Sequence, residues 1–68
     1  MKYYWPSANR ITDDGQEERL FTQDSAFSEE KAREQIDIWK NNYGFKIREA
    51  WIDVIEDNQM TERIKVEV

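Results

Sequence analysis

Residues 45–68 read FKIREAWIDVIEDNQMTERIKVEV, and this stretch decides the fold. Residues 45–56 are rich in β-branched and aromatic side chains, and residues 60–68 alternate between apolar and polar ones. Residues 57–59, which are Asp-Asn-Gln, separate the two segments and are typical of a turn. The pattern therefore predicts a β-hairpin that forms one side of an antiparallel sheet.

Cross-strand pairs decide between two registers of this hairpin, because a slip of one residue moves every side chain to the opposite face. One register places Asp53 opposite Glu62, and two like charges directly opposite each other are unfavourable. The other register places Asp53 opposite Arg63 and Trp51 opposite Lys65, and both of these pairs are favourable. We therefore predict the second register.

This register gives the first strand of the hairpin apolar side chains on both faces. One face would carry the small and aliphatic residues Ala50, Ile52 and Val54. Trp51 and Ile55 would lie on the other face, and an irregularity near Arg48–Glu49 is required for Phe45 and Ile47 to reach the core. Since one helix covers only one face of a sheet, we expect Trp51 and Ile55 to be partly exposed.

Residues 28–43 carry the pattern of an amphipathic helix. Ser28 is a good N-cap, and Gly44 is typical of the position just after a helix. The apolar side chains recur at helical spacing: Ala32, Ile36, Trp39 and Tyr43. Phe27 precedes the cap, so we expect it to pack against Ala32 as a hydrophobic staple.

Two further strands are predicted before the helix. Residues 2–12 are rich in aromatic side chains, and Pro6 predicts an edge position because proline cannot donate to a strand ladder. Asp14-Gly15, within residues 13–18, is typical of a hairpin turn, and residues 19–24 would form the return strand. The element order is thus ββαββ, which predicts an α+β fold with a four-stranded, mainly antiparallel sheet and one helix on one face.

The composition argues against an enzyme. The chain has 68 residues, no Cys and no His, so it lacks Ser-His and Cys nucleophiles, disulfides and the usual zinc ligands. We expect residues 1–68 to form a single domain, which leaves little room for a substrate cleft of about 300 Å³ or more. The sequence therefore predicts a non-enzymatic protein without a cofactor and without a metal site.

The charge and hydropathy predict a soluble, cytoplasmic protein. Fifteen acidic and ten basic residues give a net charge of −5, which disfavours nonspecific binding to nucleic-acid backbones. No apolar run reaches the roughly 18 residues of a membrane span. The N-terminal residues do not resemble a signal peptide, and the lack of Cys suits a reducing compartment.

The candidate binding surface is the uncovered face of the sheet, with Trp51, Ile55, Arg63 and Lys65. Aromatic and Arg side chains are enriched in protein interfaces, so we predict a protein-interaction module that contacts a protein partner or forms a weak homodimer. Aromatic rings beside cations can also stack single-stranded bases, so a single-stranded nucleic-acid binder is the alternative, with nucleic acid the less favoured partner. A structural role is the third interpretation, in which Arg63 and Lys65 lay their alkyl stems over Trp51 and shield it.

Overall fold

The computed structural model describes residues 1–68 and consists of a four-stranded antiparallel sheet with one helix on one face. In chain order the elements are β1 (Lys2–Ile11), β2 (Glu17–Phe21), α1 (Glu29–Asp37), β3 (Lys46–Glu56) and β4 (Gln59–Val66). A π-helical turn, Ile38–Asn42, extends α1. The strand order is β2-β1-β3-β4, and every neighbouring pair is antiparallel. The structure confirms the predicted ββαββ order and α+β fold.

The β3–β4 hairpin has the predicted register from Ala50 to Val54, but not in the two pairs next to the turn. Asp53 pairs with Arg63, and Trp51 pairs with Lys65. The turn between the strands has positive φ at two successive residues, Asp57 and Asn58. Two-residue turns of this kind match the right-handed twist of the flanking strands, and this one pairs Glu56 with Gln59, one residue out of the predicted register. The extra residue Thr61 in β4 then restores the predicted register from Val54 onward.

β3 also contains the predicted irregularity. Arg48 is an extra residue between two successive pairs with β1. Such a bulge shifts the alternation of side chains by one residue. As a result, Phe45 and Ile47 face the helix side and pack against the core, as predicted.

The core lies between α1 and the middle of the sheet. Its buried members come from the helix and from three strands: Ala8, Ala32, Ile36, Trp39, Ala50, Ile52 and Val66. The helix lies over β1 and β3. Ala8 and Ala50 are directly opposite each other in these two strands, and their small side chains leave room for the Trp39 indole.

The prediction that β1 is an edge strand is wrong, because β1 lies between β2 and β3. Within one strand, residues two positions apart direct their backbone N–H groups to the same neighbouring strand. The N–H of Tyr4 donates to the carbonyl of Ala26 (2.8 Å), so the nitrogen of Pro6 faces that same side. On that side of β1, the segment between Phe21 and Ala26 forms no strand pairs. The missing N–H of Pro6 therefore costs no strand hydrogen bond.

The first hairpin is tighter than predicted. β2 covers residues 17–21 rather than residues 19–24, because the N–H of Thr12 donates to the carbonyl of Gln16 (2.8 Å) and closes the loop directly after β1. The Asp14 carboxylate accepts hydrogen bonds from the Thr12 hydroxyl and from the N–H of Gln16. The hydrogen bond from Thr12 is the main reason that the pKa of Asp14 lies below its ordinary value.

The helix is regular only to Asp37 and not, as predicted, to Tyr43. In the following π-helical turn the N–H of Tyr43 donates to the carbonyl of Ile38 (3.1 Å), five residues earlier. This wider turn rotates the chain relative to a regular helix. Trp39 stays buried, but Tyr43 is 64% exposed and is not a core residue.

Ser28 caps the helix as predicted, since its Oγ accepts a hydrogen bond from the N–H of Lys31 (3.2 Å). The predicted staple between Phe27 and Ala32 is wrong. Phe27 is 77% exposed, and its ring lies 5.8 Å from the ring of Tyr3. The reason is that the residue before Phe27 pairs with β1, which carries Phe27 away from the helix.

Candidate protein-binding face

The open face is the face of the sheet that α1 does not cover. Residues directly opposite each other in a sheet share a face, so the strand pairing shows which side chains lie there. The structure places all four predicted residues on the open face: Trp51, Ile55, Arg63 and Lys65. They do not form one surface, because they divide into two groups with different surroundings.

Trp51 is buried, with 8% exposure, so the expectation that it is partly exposed is wrong. The guanidinium groups of Arg19 and Arg63 lie over its ring, at 4.7 Å and 5.1 Å from the ring centroid. Shielding by Arg63 is the structural role that the sequence suggested. Arg19 comes from β2, which is separated from β3 by β1, and no local pattern in the sequence indicates that contact.

Both arginines over the indole are held by hydrogen bonds. Arg63 makes a two-point contact with Asp53, with Nε at 2.7 Å from Oδ1 and Nη2 at 3.3 Å from Oδ2. The hydrogen bond to Asp53 raises the pKa of Arg63 above its ordinary value. Arg19 Nε donates to Asn9 Oδ1 (2.7 Å), and Asn9 Nδ2 donates to Glu49 Oε1 (2.7 Å). The indole is therefore enclosed by a fixed polar network.

This enclosure removes Trp51 as a stacking platform, because base stacking needs an exposed aromatic face. Lys65 is exposed, and it takes part in none of the five ion pairs of the structure. The nucleic-acid alternative depended on Trp51 together with its cationic neighbours. In this geometry Trp51 has a structural role, which is to join β2 and β4 across the open face.

Ile55 belongs to the second group, which we call the apolar patch: Tyr3, Trp5, Phe27, Ile55 and Met60. Tyr3 pairs with Ile55, and Ile55 pairs with Met60, so these three side chains form one row across β1, β3 and β4. Phe27 contacts Tyr3, and Trp5 is the next open-face residue of β1. The patch therefore covers one end of the open face.

The two most exposed members of the apolar patch are residues that the sequence did not indicate. Phe27 is 77% exposed and Met60 is 57% exposed. Met60 lies on the open face because Thr61 is an extra, unpaired residue in β4, and this bulge shifts the alternation between Met60 and Glu62. Pairing of the segment before α1 with β1 places Phe27, and only the tertiary structure reveals that pairing.

A separate cleft lies at the opposite end of β1, between the β1–β2 loop and the segment that joins the helix to β3. Its volume is about 550 Å³, so the expectation that the chain leaves little room for such a cleft is wrong. The charged and aromatic residues that line it include Arg10, Asp13, Tyr43, Phe45 and Lys46. Nowhere in the structure do three or more His, Cys, Asp or Glu side chains form a group that could hold a metal ion.

Comparison of the chain with protein-family models, with curated proteins and with solved structures gives no match. None of the helices has the length and apolar character that crossing a membrane requires.

Proposed function

We propose that this protein is a non-enzymatic interaction module that works in the cytoplasm and contacts a protein partner, or a second copy of itself, through the apolar patch. The observation that carries the proposal is the exposure of Phe27 and Met60 beside Tyr3 and Ile55 on one end of an uncovered sheet face. Contiguous exposed apolar side chains mark interaction sites more often than scattered ones do.

The chemistry of the patch suits a protein contact. Aromatic side chains and Met are enriched in protein interfaces, and Met adapts its shape to different partner surfaces. The Asp53–Arg63 ion pair lies in the neighbouring row and supplies a polar rim whose geometry is already fixed. Five apolar side chains cover less than the roughly 800 Å² per partner of a standard interface, so the contact is weak or transient.

Substitution of the two exposed members tests the proposal. Phe27→Ser and Met60→Lys should each stay folded, because both side chains are exposed and surface changes usually alter stability by less than about 0.5 kcal/mol. Each should lower partner capture, or self-association through the patch, at least roughly fivefold, because interface anchors of this size contribute more than about 1 kcal/mol. Capture from a lysate of the source cells and sedimentation equilibrium are the two measurements.

Tyr43→Ser is the matched control for these variants. Tyr43 is an exposed aromatic residue like Phe27, but it lies beside the cleft at the opposite end of β1. It should bind as the wild type does. If Phe27→Ser and Met60→Lys are folded and bind unchanged, the apolar patch is not the functional surface.

A further inference from the structure

The outer edge of β4 is unpaired. β4 is the last strand in the sheet order, and α1 lies over β1 and β3 rather than over β4. Outside the strand ladders, no backbone hydrogen bond reaches residues 59–68. A free edge offers a row of N–H and C=O groups that can pair with another strand.

The two edges of this sheet differ in how well they can accept a strand. β2 has five residues and begins with two adjacent acids, and short charged edges resist pairing. β4 has eight residues and no Pro, and its bulge at Thr61 affects only its first part. The regular edge of β4 therefore runs from Glu62 to Val66, and Glu67 and Val68 continue the alternation of the sequence just beyond the strand.

Symmetry restricts how β4 can pair with its own copy. A twofold axis perpendicular to the sheet makes the two strands antiparallel and keeps each face of the sheet continuous. Directly opposite residues must then belong to the same face, so one residue of β4 lies opposite its own copy, and we call this the residue at the axis. Among residues 62–67, an axis at any charged residue places that residue opposite its own copy, and the like charges repel. An axis at Ile64 places Arg63 opposite Lys65 at two symmetric positions, which is also unfavourable.

Among the pairs that residues 64–68 form with their copies, an axis at Val66 gives no like-charge pair. It places Val66 opposite its own copy, Lys65 opposite Glu67, and Ile64 opposite Val68. The apolar pairs lie on the helix side and the two charge pairs lie on the open face. Lys65 and Glu67 are exposed and take part in none of the five ion pairs of the structure, so both are free to pair.

We propose that β4 pairs with β4 of a second copy about a twofold axis at Val66, which joins the two sheets edge to edge. The alternating charges permit this register and disfavour the neighbouring ones, which gives the contact specificity. The contact uses the edge of β4 and not the apolar patch. Variants of the patch such as Phe27→Ser therefore leave this dimer unchanged, and the two proposals can fail independently.

Charge reversal tests the contact. Lys65→Glu and Glu67→Lys each create like-charge pairs at two symmetric positions, so each should raise the dissociation constant of the dimer at least roughly fivefold. The double exchange of both residues restores opposite charges and should recover the wild-type dissociation constant. Sedimentation equilibrium measures the effect. A wild-type chain that stays monomeric at millimolar concentration, or a double exchange that does not recover, overturns the proposal.

Disulfide trapping tests the register, because the chain has no Cys of its own. Oxidation of a mixture of Lys65→Cys and Glu67→Cys chains should give a cross-linked dimer, since directly opposite residues have Cβ atoms about 4.5–5.5 Å apart. Lys65→Cys alone should cross-link at least tenfold less, because its two copies are diagonal to each other. Stronger cross-linking of Lys65→Cys alone would place the axis at residue 65 and contradict the proposed register.

Discussion

Replacing Trp39 by alanine is expected to unfold the protein. Trp39 is buried between the helix and the sheet, and it is the largest side chain of the core. Truncation of a buried Trp costs about 3–5 kcal/mol. A core in a chain of this size supplies only about 3–5 kcal/mol of net stability, so the loss removes nearly all of it. Far-ultraviolet circular dichroism during thermal unfolding measures the effect.

Tyr43→Ala is the control for this variant, because the two aromatic residues are four positions apart but only Trp39 is buried. The exposed Tyr43 should change the free energy of unfolding by less than about 0.5 kcal/mol. A Trp39→Ala variant that unfolds cooperatively within a few degrees of the wild type would show that the helix packs through other residues.

Replacing Trp51 by alanine is expected to cost about 3–5 kcal/mol, although the residue lies on the face that the helix leaves uncovered. The change removes a buried indole and the ring on which Arg19 and Arg63 lie. Lys65→Ala, at the position paired with Trp51, should change stability by less than about 0.5 kcal/mol. Urea unfolding monitored by circular dichroism compares the two, and equal midpoints for Trp51→Ala and Lys65→Ala would contradict the enclosed position of the indole.

The β3–β4 hairpin could be predicted because the features that select its register are local. Opposite charges at Asp53 and Arg63 select the register of the two strands, and they lie within one short stretch of chain. The bulge at Thr61, which connects this register to the two-residue turn, has no such local signal. The position of β1 could not be predicted in the same way. The cost of Pro6 depends on which neighbour its nitrogen faces, and only the pairing of Tyr4 with Ala26 determines that.

Local sequence patterns were likewise insufficient to predict the end of the helix and the surroundings of the site residues. The spacing of Trp39 and Tyr43 fits a regular helix, and nothing in the sequence marks the π-helical turn that separates their environments. Ile55 could be placed on the open face from the hairpin alone. The enclosure of Trp51 depends on Arg19, which reaches it across an intervening strand, and the exposure of Phe27 depends on a bridge formed before the helix.

The two proposed contacts are compatible with each other. The apolar patch lies at the end of the open face that contains Met60, whereas the proposed edge contact is centred on Val66. A twofold axis perpendicular to the sheet leaves both open faces on the same side of the dimer. The dimer would therefore present two apolar patches in one direction. A repeated or dimeric partner could contact both patches at once, and the overall affinity would then exceed that of a single weak contact.

Site-specific photo-crosslinking tests most directly whether the apolar patch is the surface that contacts a partner, as we propose. A photoreactive phenylalanine analogue at position 27 should give a discrete cross-linked protein band in the source cells, because Phe27 projects from the patch into solvent. The same analogue at position 43, which is also exposed but lies at the opposite end of β1, should not give that band. A band from position 43 alone, or no band from position 27, would contradict the claim.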